Sequence, residues 1–451
     1  MRKVLIIAVV VIGVSCVSTL VTRPTRLLEP AYQGKTVTAH LQTLASGDWE
    51  LRNDAAAALV AIGPEATPFL VRVLEKRANP IETALLRLQS RLPVPQITPS
   101  TTPQLRRCAA EQLGSLGAGD RRAIEALIRA GTEDDRSVVE EAQRALRRLG
   151  PAVVPELTAA LKSRNARIRR HTAEVLGDFG SRASAAIPDL LRLLQDRDET
   201  VRAQAARSLG AGGDPTAVGG LAGALSDRSP AVRTAAADAL GVIGASAQSA
   251  LAKIKTNFND RDTRARIAAA RAFWRIARDA DAAVPVLTSA LRDPSSGWEA
   301  SLALGEIGPA AREAVPALVE TMKRERVPRP LRGPPSSALA LGRIGAAAVP
   351  ELVKTLGNEE PRIRTAAAIA LGFIGEDAHA AAPTLIPLLA DSHPEVRQAA
   401  TLGLGSIDPE RRELVPALVV MARDDDIFLS SAAATALQKI DPAAAAAVVR
   451  D

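Results

Sequence analysis

The sequence predicts an all-α protein, a right-handed α-solenoid of about twelve helical hairpins. Three observations carry this reading. Apolar-Pro pairs recur along the chain at steps of 31 to 34 residues. A ten-residue pattern, Val-Arg-x-x-Ala-x-x-x-Leu-Gly, returns in register with them. The composition is 47% hydrophobic but only 2% aromatic, so the interior is to be filled by many small, straight side chains rather than by a few large anchors.

In chain order, the first element is apolar. Arg2 and Lys3 precede an uncharged run from Val4 to Thr22, and Arg23 and Arg26 follow it. That run approaches the roughly 20 residues that cross a bilayer as a helix, so residues 1–23 are expected to form a signal-anchor or transmembrane segment. Cleavage near Ser15 and lipidation at Cys16 are the alternatives. However, no clean A-x-A site is present, and Gly13-Val14-Ser15 lacks the usual Leu of a lipobox. A very short leading tail normally stays in the cytoplasm, which makes this a single-pass protein of the cytoplasmic membrane with its solenoid on the exported, periplasmic side. Residues 24–35, from Pro24-Thr25 to Tyr32-Gln33-Gly34, read as a tether, and the solenoid fills 36–451.

Each hairpin has two marks. Val154-Pro155, Ile187-Pro188, Val284-Pro285, Val315-Pro316, Val349-Pro350, Ala382-Pro383 and Val415-Pro416 place a proline in a first helical turn, where its missing N–H would have no partner. The second helix carries the ten-residue frame, as in Val201-Arg202 to Leu209-Gly210, with equivalents opening at Ile168, Val232, Ile363 and Val396. Apolar residues at i, i+4 and i+8 form one stripe of a helix. Four residues beyond the frame's ninth position stands a further glycine: Gly63, Gly117, Gly150, Gly180, Gly213, Gly244, Gly308, Gly345 and Gly375. These are expected to close the helix in a left-handed C-cap. Ser229-Pro230, Glu360-Pro361 and His393-Pro394 are expected to start second helices.

On these residues the chain resembles the HEAT-repeat family, including the shorter HEAT-like units of phycobilin lyase subunits, and reads as a bacterial, membrane-anchored member. The resemblance covers about 36 to 441. It implies that the recurring arginine of the frame (Arg52, Arg106, Arg169, Arg202, Arg233, Arg266, Arg364, Arg397) pairs with a turn aspartate of a neighbouring unit, of the type of Asp196, Asp227, Asp260 and Asp391. An array of this kind is stabilised by intrinsic and nearest-neighbour terms.

Function is sought where the pattern breaks, because packing explains the regular positions. An insertion at 77–103 splits the second unit and carries an apolar-basic segment followed by four prolines. Loop 323–335 is the densest basic stretch, with Lys323, Arg324, Arg326, Arg329 and Arg332 among prolines. An acidic partner or anionic headgroups would dock there. Trp298 stands where the eighth unit loses its arginine, and Phe273-Trp274 replaces Leu-Gly in the seventh. Arg324, Arg326, Arg329, Arg332 and Trp298 are therefore the candidate partner-binding residues; exposed aromatics serve as anchors.

Net charge is +7, but 57 basic residues face 50 acidic ones along the whole chain. This reads as a mixed solvated surface, and nucleic acid is not expected as a partner. Two cysteines, Cys16 and Cys108, form no disulfide framework. The histidines His40, His171, His379 and His393 lack ligand spacing, and neither G-x-S-x-G nor a phosphate-binding loop is present. No cofactor is expected. The leading reading is a non-catalytic protein-interaction scaffold held at a membrane, with a protein or peptide partner. A related reading is an assembly factor for an envelope or electron-transfer complex. The alternative is a HEAT-like enzyme or enzyme subunit of the chromophore lyase type, with a DNA glycosylase behind it because ten aromatics are few for reading an extruded base.

Overall fold

The computed structural model describes residues 29–45, 49–76, 102–117, 119–325, 334–408 and 412–448. The chain divides into two compact units, Met1–Ala186 and Ile187–Asp451. The apolar segment 1–23, residues 77–101 of the insertion and residues 326–333 of the basic loop lie outside the described residues.

In the first unit a small antiparallel hairpin, β1 (Ala31–Tyr32) and β2 (Lys35–Thr36), precedes the helices. Gln33 and Gly34 form its turn, both at positive φ. The end of the expected tether is thus folded: Val37 N–H donates to Pro30 O (3.3 Å), and a His40 ring nitrogen lies 3.2 Å from Tyr32 O. The helices that follow are α1 (Val37–Ala45), α2 (Trp49–Ile62), α3 (Thr67–Glu75), α4 (Pro103–Leu116), α5 (Arg121–Ala130), α6 (Arg136–Leu149), α7 (Val154–Ala160) and α8 (Ala166–Phe179). Pro103, expected at the end of the insertion, instead opens α4, where Thr102 Oγ1 accepts the Leu105 N–H at 3.1 Å. Glu50–Glu75 is long and apolar enough to cross a membrane by composition. It is two helices joined by a 3-10 turn at Gly63–Ala66, and Leu59, Leu70 and Leu74 on it are buried in this unit's core.

The second unit continues with α9 (Ile187–Leu193), α10 (Glu199–Gly212), α11 (Val218–Ala224), α12 (Pro230–Ile243), α13 (Leu251–Thr256), α14 (Thr263–Ala277), α15 (Ala280–Ala290), α16 (Gly297–Ile307), α17 (Val315–Arg324) and α18 (Ser336–Ile344). It ends with α19 (Val349–Thr355), α20 (Pro361–Ile374), α21 (Ala382–Leu385), α22 (Pro394–Ile407), α23 (Val415–Met421), α24 (Ile427–Ile440) and α25 (Pro442–Val448). Each short first helix packs on a longer second helix, and the second helices α10, α12 and α14 and then α16, α18, α20, α22 and α24 pack in succession. This is the expected all-α solenoid of helical hairpins.

The frame explains the packing. Its first and ninth positions, such as Val201 and Leu209 or Val396 and Leu404, are buried. Burying one such side chain contributes about 1.5–3 kcal/mol. The tenth position is glycine because successive second helices touch there. A Cβ on Gly210 would lie 2.6 Å from Ala239 Cα, and one on Gly405 would lie 2.8 Å from Ala436 Cα. The later glycine serves a different need. Gly375 closes α20 at φ 72° and ψ −141°, a region open to glycine alone, so most of these caps are not the left-handed helical conformation expected from the sequence. Gly213 does adopt that conformation.

Two expectations are corrected. Gly117 has negative φ, and the positive value falls at Gly119. Gly117 is small because a Cβ would meet Leu113 O at 2.6 Å. Val284-Pro285 does not start its helix: α15 begins at Ala280, because Asp279 accepts the Ala282 N–H and caps it earlier. The other six apolar-Pro pairs open α7, α9, α17, α19, α21 and α23.

Candidate functional site

The arginine ladder is structural. Arg202 reaches the Asp227 carboxylate through Nε (2.7 Å) and Nη2 (2.8 Å), and Arg364 reaches Asp391 with both contacts at 2.9 Å. In the first unit Arg106 pairs with Glu133 at 2.6 Å. Nη1 of Arg202, Arg233, Arg266, Arg364 and Arg397 also donates to carbonyls of its own turn. The planar fork suits this double duty. Burial alone would raise the Asp227 carboxyl, but hydrogen bonds from Arg202 and the Ser229 N–H hold it below the usual carboxylate range. Asp260 and Asp391 are held low in the same way, by Arg233 and Arg364.

Of the candidate partner-binding residues, Arg326, Arg329 and Arg332 lie outside the described residues. Arg324 is the last residue of α17, where Nε bonds Glu320 O (3.3 Å) and Nη2 bonds Thr321 Oγ1 (3.2 Å). It lines an open cleft of about 540 Å³ with Pro285, Thr288, Arg292, Glu313 and Glu320. Both ends of the basic loop are fastened: Glu325 accepts from Ser336 Oγ (2.6 Å) and Ser337 Oγ (2.5 Å), while Arg362 donates to Lys323 O (2.6 Å). Trp298 does not line that cleft. It is the second residue of α16 and is 50% exposed, beside the Arg264–Glu299 contact (3.3 Å).

Phe273 is core: it is buried and meets Phe258 edge-on at 5.3 Å. Trp274 is half-buried under the Arg278 guanidinium (5.4 Å). A second cleft, of about 500 Å³, lies in the first unit between α5 and α7 and is lined by Arg121, Glu125, Arg129, Glu156 and Lys162. Among the described residues, no group of three or more His, Cys, Asp or Glu side chains gathers to hold a metal ion.

The second helices present another surface that motif reading missed. Frame positions seven and eleven lie one turn apart on the same helix face. On α10, α12 and α14 position seven is Arg207, Asp238 and Arg271, and Arg271 bonds Asp238 at 2.6 Å. On α16, α18, α20 and α22 it is Leu302, Leu339, Ile369 and Leu402, each half-buried. At position eleven Arg275 forks onto Glu306 (2.5 and 2.8 Å), and Lys439 bonds Ser406 Oγ (2.8 Å). Phe373, at that position on α20, is 49% exposed. Aligning the seventh residue of every frame finds the aliphatic row; reading single residues does not.

The sequence pattern of HEAT repeats matches residues 154–241, 187–273, 336–405 and 382–451, together more than half of the chain. No curated protein sequence matches this chain. Among solved structures, importin beta aligns with a TM-score of 0.55 at 14% identity, covering 90% of this chain and 55% of importin beta. Kap95p, in a structure with RanGDP, aligns at 0.52 and 15% identity, covering 90% of this chain and 55% of that one. This chain therefore spans about half the length of those proteins, and the likeness is one of fold. The repeat frame, the hairpin stacking and the matched pattern agree: the chain belongs to the HEAT-repeat family.

Proposed function

We propose that the chain is a non-catalytic scaffold that binds a protein or peptide on its solenoid surface and is held at a membrane by its N-terminal apolar segment. The observation that carries the binding part is the exposure of large apolar residues on second helices. Trp298 and Phe373 are each about half exposed in an array whose other frame positions are packed. Exposed aromatics of this kind supply binding energy when a partner buries them. Kap95p, a solved protein of this fold, binds another protein, RanGDP. The basic loop, with Arg324 at its edge and Arg326, Arg329 and Arg332 within it, is a second contact region for an acidic partner.

The membrane part rests on the uncharged run Val4 to Thr22 with its basic flanks. The short leading tail places the solenoid on the exported side. Cross-linking followed by purification from detergent extracts tests the scaffold. Reproducible protein partners, lost when Trp298 and Phe373 are both changed to Glu, are the expected result; recovery of no reproducible protein overturns it. A reporter enzyme active only after export, fused after Asp451, tests the orientation, and a silent reporter reverses it.

A further inference from the structure

We infer that the row Leu302, Leu339, Ile369 and Leu402, with Phe373 and Arg343 beside it, is a docking strip for an aliphatic, acidic peptide segment of the partner. This rests on the scaffold reading above and names the chemistry of what the scaffold holds.

The contiguity of the strip follows from contacts at equivalent positions elsewhere. Position seven of one second helix reaches position seven of the next, as Asp238 and Arg271 do at 2.6 Å. Position eleven reaches position eleven, as Arg275 and Glu306 do at 2.5 Å. The glycine contacts keep the same register through the strip. A Cβ on Gly305 would lie 3.1 Å from Ala340 Cα, one on Gly342 would lie 2.4 Å from Phe373 Cβ, and one on Gly372 would lie 3.1 Å from Gly403 Cα. Leu302, Leu339, Ile369 and Leu402 therefore stand side by side across four helices, about 8–10 Å apart at each step.

The chemistry changes along the array. On α10 to α14 position seven is charged, and the Asp238–Arg271 pair neutralises itself. From α16 onward the same position is aliphatic and unpaired. At position eleven, Arg275 and Glu306 neutralise one another, and Ser406 receives Lys439. Arg343 is the exception. It is exposed on α18, its ion-pairing neighbour Glu306 is already taken by Arg275, and Arg343 forms no ion pair with a described residue. A lone cation set among apolar side chains favours a carboxylate brought by the partner, in a setting less screened than open water. Aliphatic contacts would supply the affinity, and the Arg343 contact the register.

The test uses the purified full chain in detergent and a phage-displayed random 16-residue peptide library. Selected peptides are expected to be rich in Leu, Ile or Val and to carry Asp or Glu. When synthesised, they should bind Ile369→Asp and Arg343→Glu at least tenfold more weakly than the unaltered chain. Exchanging the peptide's acid for Lys should restore binding to Arg343→Glu. Arg324→Glu, on a first helix, should leave binding unchanged. Leu402→Asp serves as a second variant, and an unchanged thermal melt separates lost binding from lost folding. Peptides that bind Ile369→Asp and Leu402→Asp as well as the unaltered chain overturn the inference, as do selected peptides that are basic. A concentration-dependent dimer broken by Ile369→Asp would mean that a second copy covers the strip, and also overturns it. Binding lost only in Arg324→Glu leaves the scaffold standing and moves the site. Failure to select any peptide, together with no cross-linked partner, removes both readings.

Discussion

Arg233 forks onto Asp260, with Nε 2.6 Å from Oδ2 and Nη2 2.7 Å from Oδ1, while Nη1 holds the Asp227 carbonyl of its own turn at 2.9 Å. The Asp227 carboxylate is in turn held by Arg202. It also accepts the Ser229 N–H at 2.8 Å, which shapes the turn that starts α12. Each turn is therefore fastened from the helix before it and from the helix after it. The ladder couples neighbouring hairpins, which otherwise share only apolar contacts.

Removing one member of such a pair leaves a charge without its partner. The Asp260 side chain is 7% exposed, so Arg233→Ala is expected to cost about 3–5 kcal/mol. Arg233→Lys should recover only part, because a point charge cannot fork. The double change Arg233→Ala with Asp260→Ala should cost less than the sum of the single changes. Urea unfolding of the four proteins measures this; a strictly additive cycle would show that the pair is not coupled.

The same carboxylates set an acid limit. Asp227, Asp260 and Asp391 have folded-state pKa values below their ordinary 3.8. Their contribution is therefore complete above that value and is lost as pH falls through the lower folded values. Thermal midpoints followed downward from pH 5 should drop more steeply in the unaltered chain than in one carrying Asp→Asn at all three positions. Parallel curves would contradict the ladder's role.

The frame's ninth position tests the packing. Leu209 and Leu371 are buried at 2% and 0% exposure. Leu209→Ala or Leu371→Ala is expected to cost about 2–5 kcal/mol, depending on how far the neighbours collapse into the space. A melt unchanged by either substitution would refute the assigned register.

The two glycines of a unit should respond differently. Gly405→Ala drives a methyl group into Ala436 Cα, both backbone-borne, so the second helices must separate, at a cost of roughly 1–3 kcal/mol. Pairing it with Ala436→Gly should recover much of that. Gly375→Ala has open space around most of its Cβ, the nearest atom being Ser406 O at 3.8 Å. Its cost of about 1–3 kcal/mol is backbone strain, which no neighbouring substitution relieves. Melting of the three variants distinguishes the causes.

The repeat was legible because packing forces the same residue types at the same spacing: Val201, Arg202 and Leu209 have counterparts in unit after unit. Pro285 misled because Asp279 supplies a stronger start several residues earlier, and a cap outweighs a proline that is merely tolerated. The two glycines of a unit look alike in sequence, and only the distance from Gly210 to Ala239 separates close approach from unusual φ. The aliphatic row was invisible for a further reason. Leu302, Leu339, Ile369 and Leu402 each read as an ordinary core residue on its own helix, and their common exposure appears only when helices stand side by side. Trp298 was rightly singled out as an irregularity, but its distance from the Arg324 cleft is a tertiary fact.

His171 on α8 provides a pH test confined to the first unit. The imidazole is 3% exposed, its Nε2 has no hydrogen-bond partner, and Nδ1 lies 3.4 Å from Gln143 Nε2. A Cβ on Gly131 would overlap the ring, so the first unit has no room to rearrange around an added charge. Burial, reinforced by Arg170 and Arg147, lowers the pKa from 6.5 to about 4. The folded state therefore refuses a proton that the unfolded chain accepts. Stability is complete above pH 6.5, declines between 6.5 and about 4, and levels off below that, for a total of roughly 3 kcal/mol from this group. Native-state hydrogen exchange should show α8 amides losing protection across that window. His171→Gln should flatten the loss there while leaving the pH response of α20 unchanged. Equal sensitivity of both helices in the variant and the unaltered chain would assign the effect to another group.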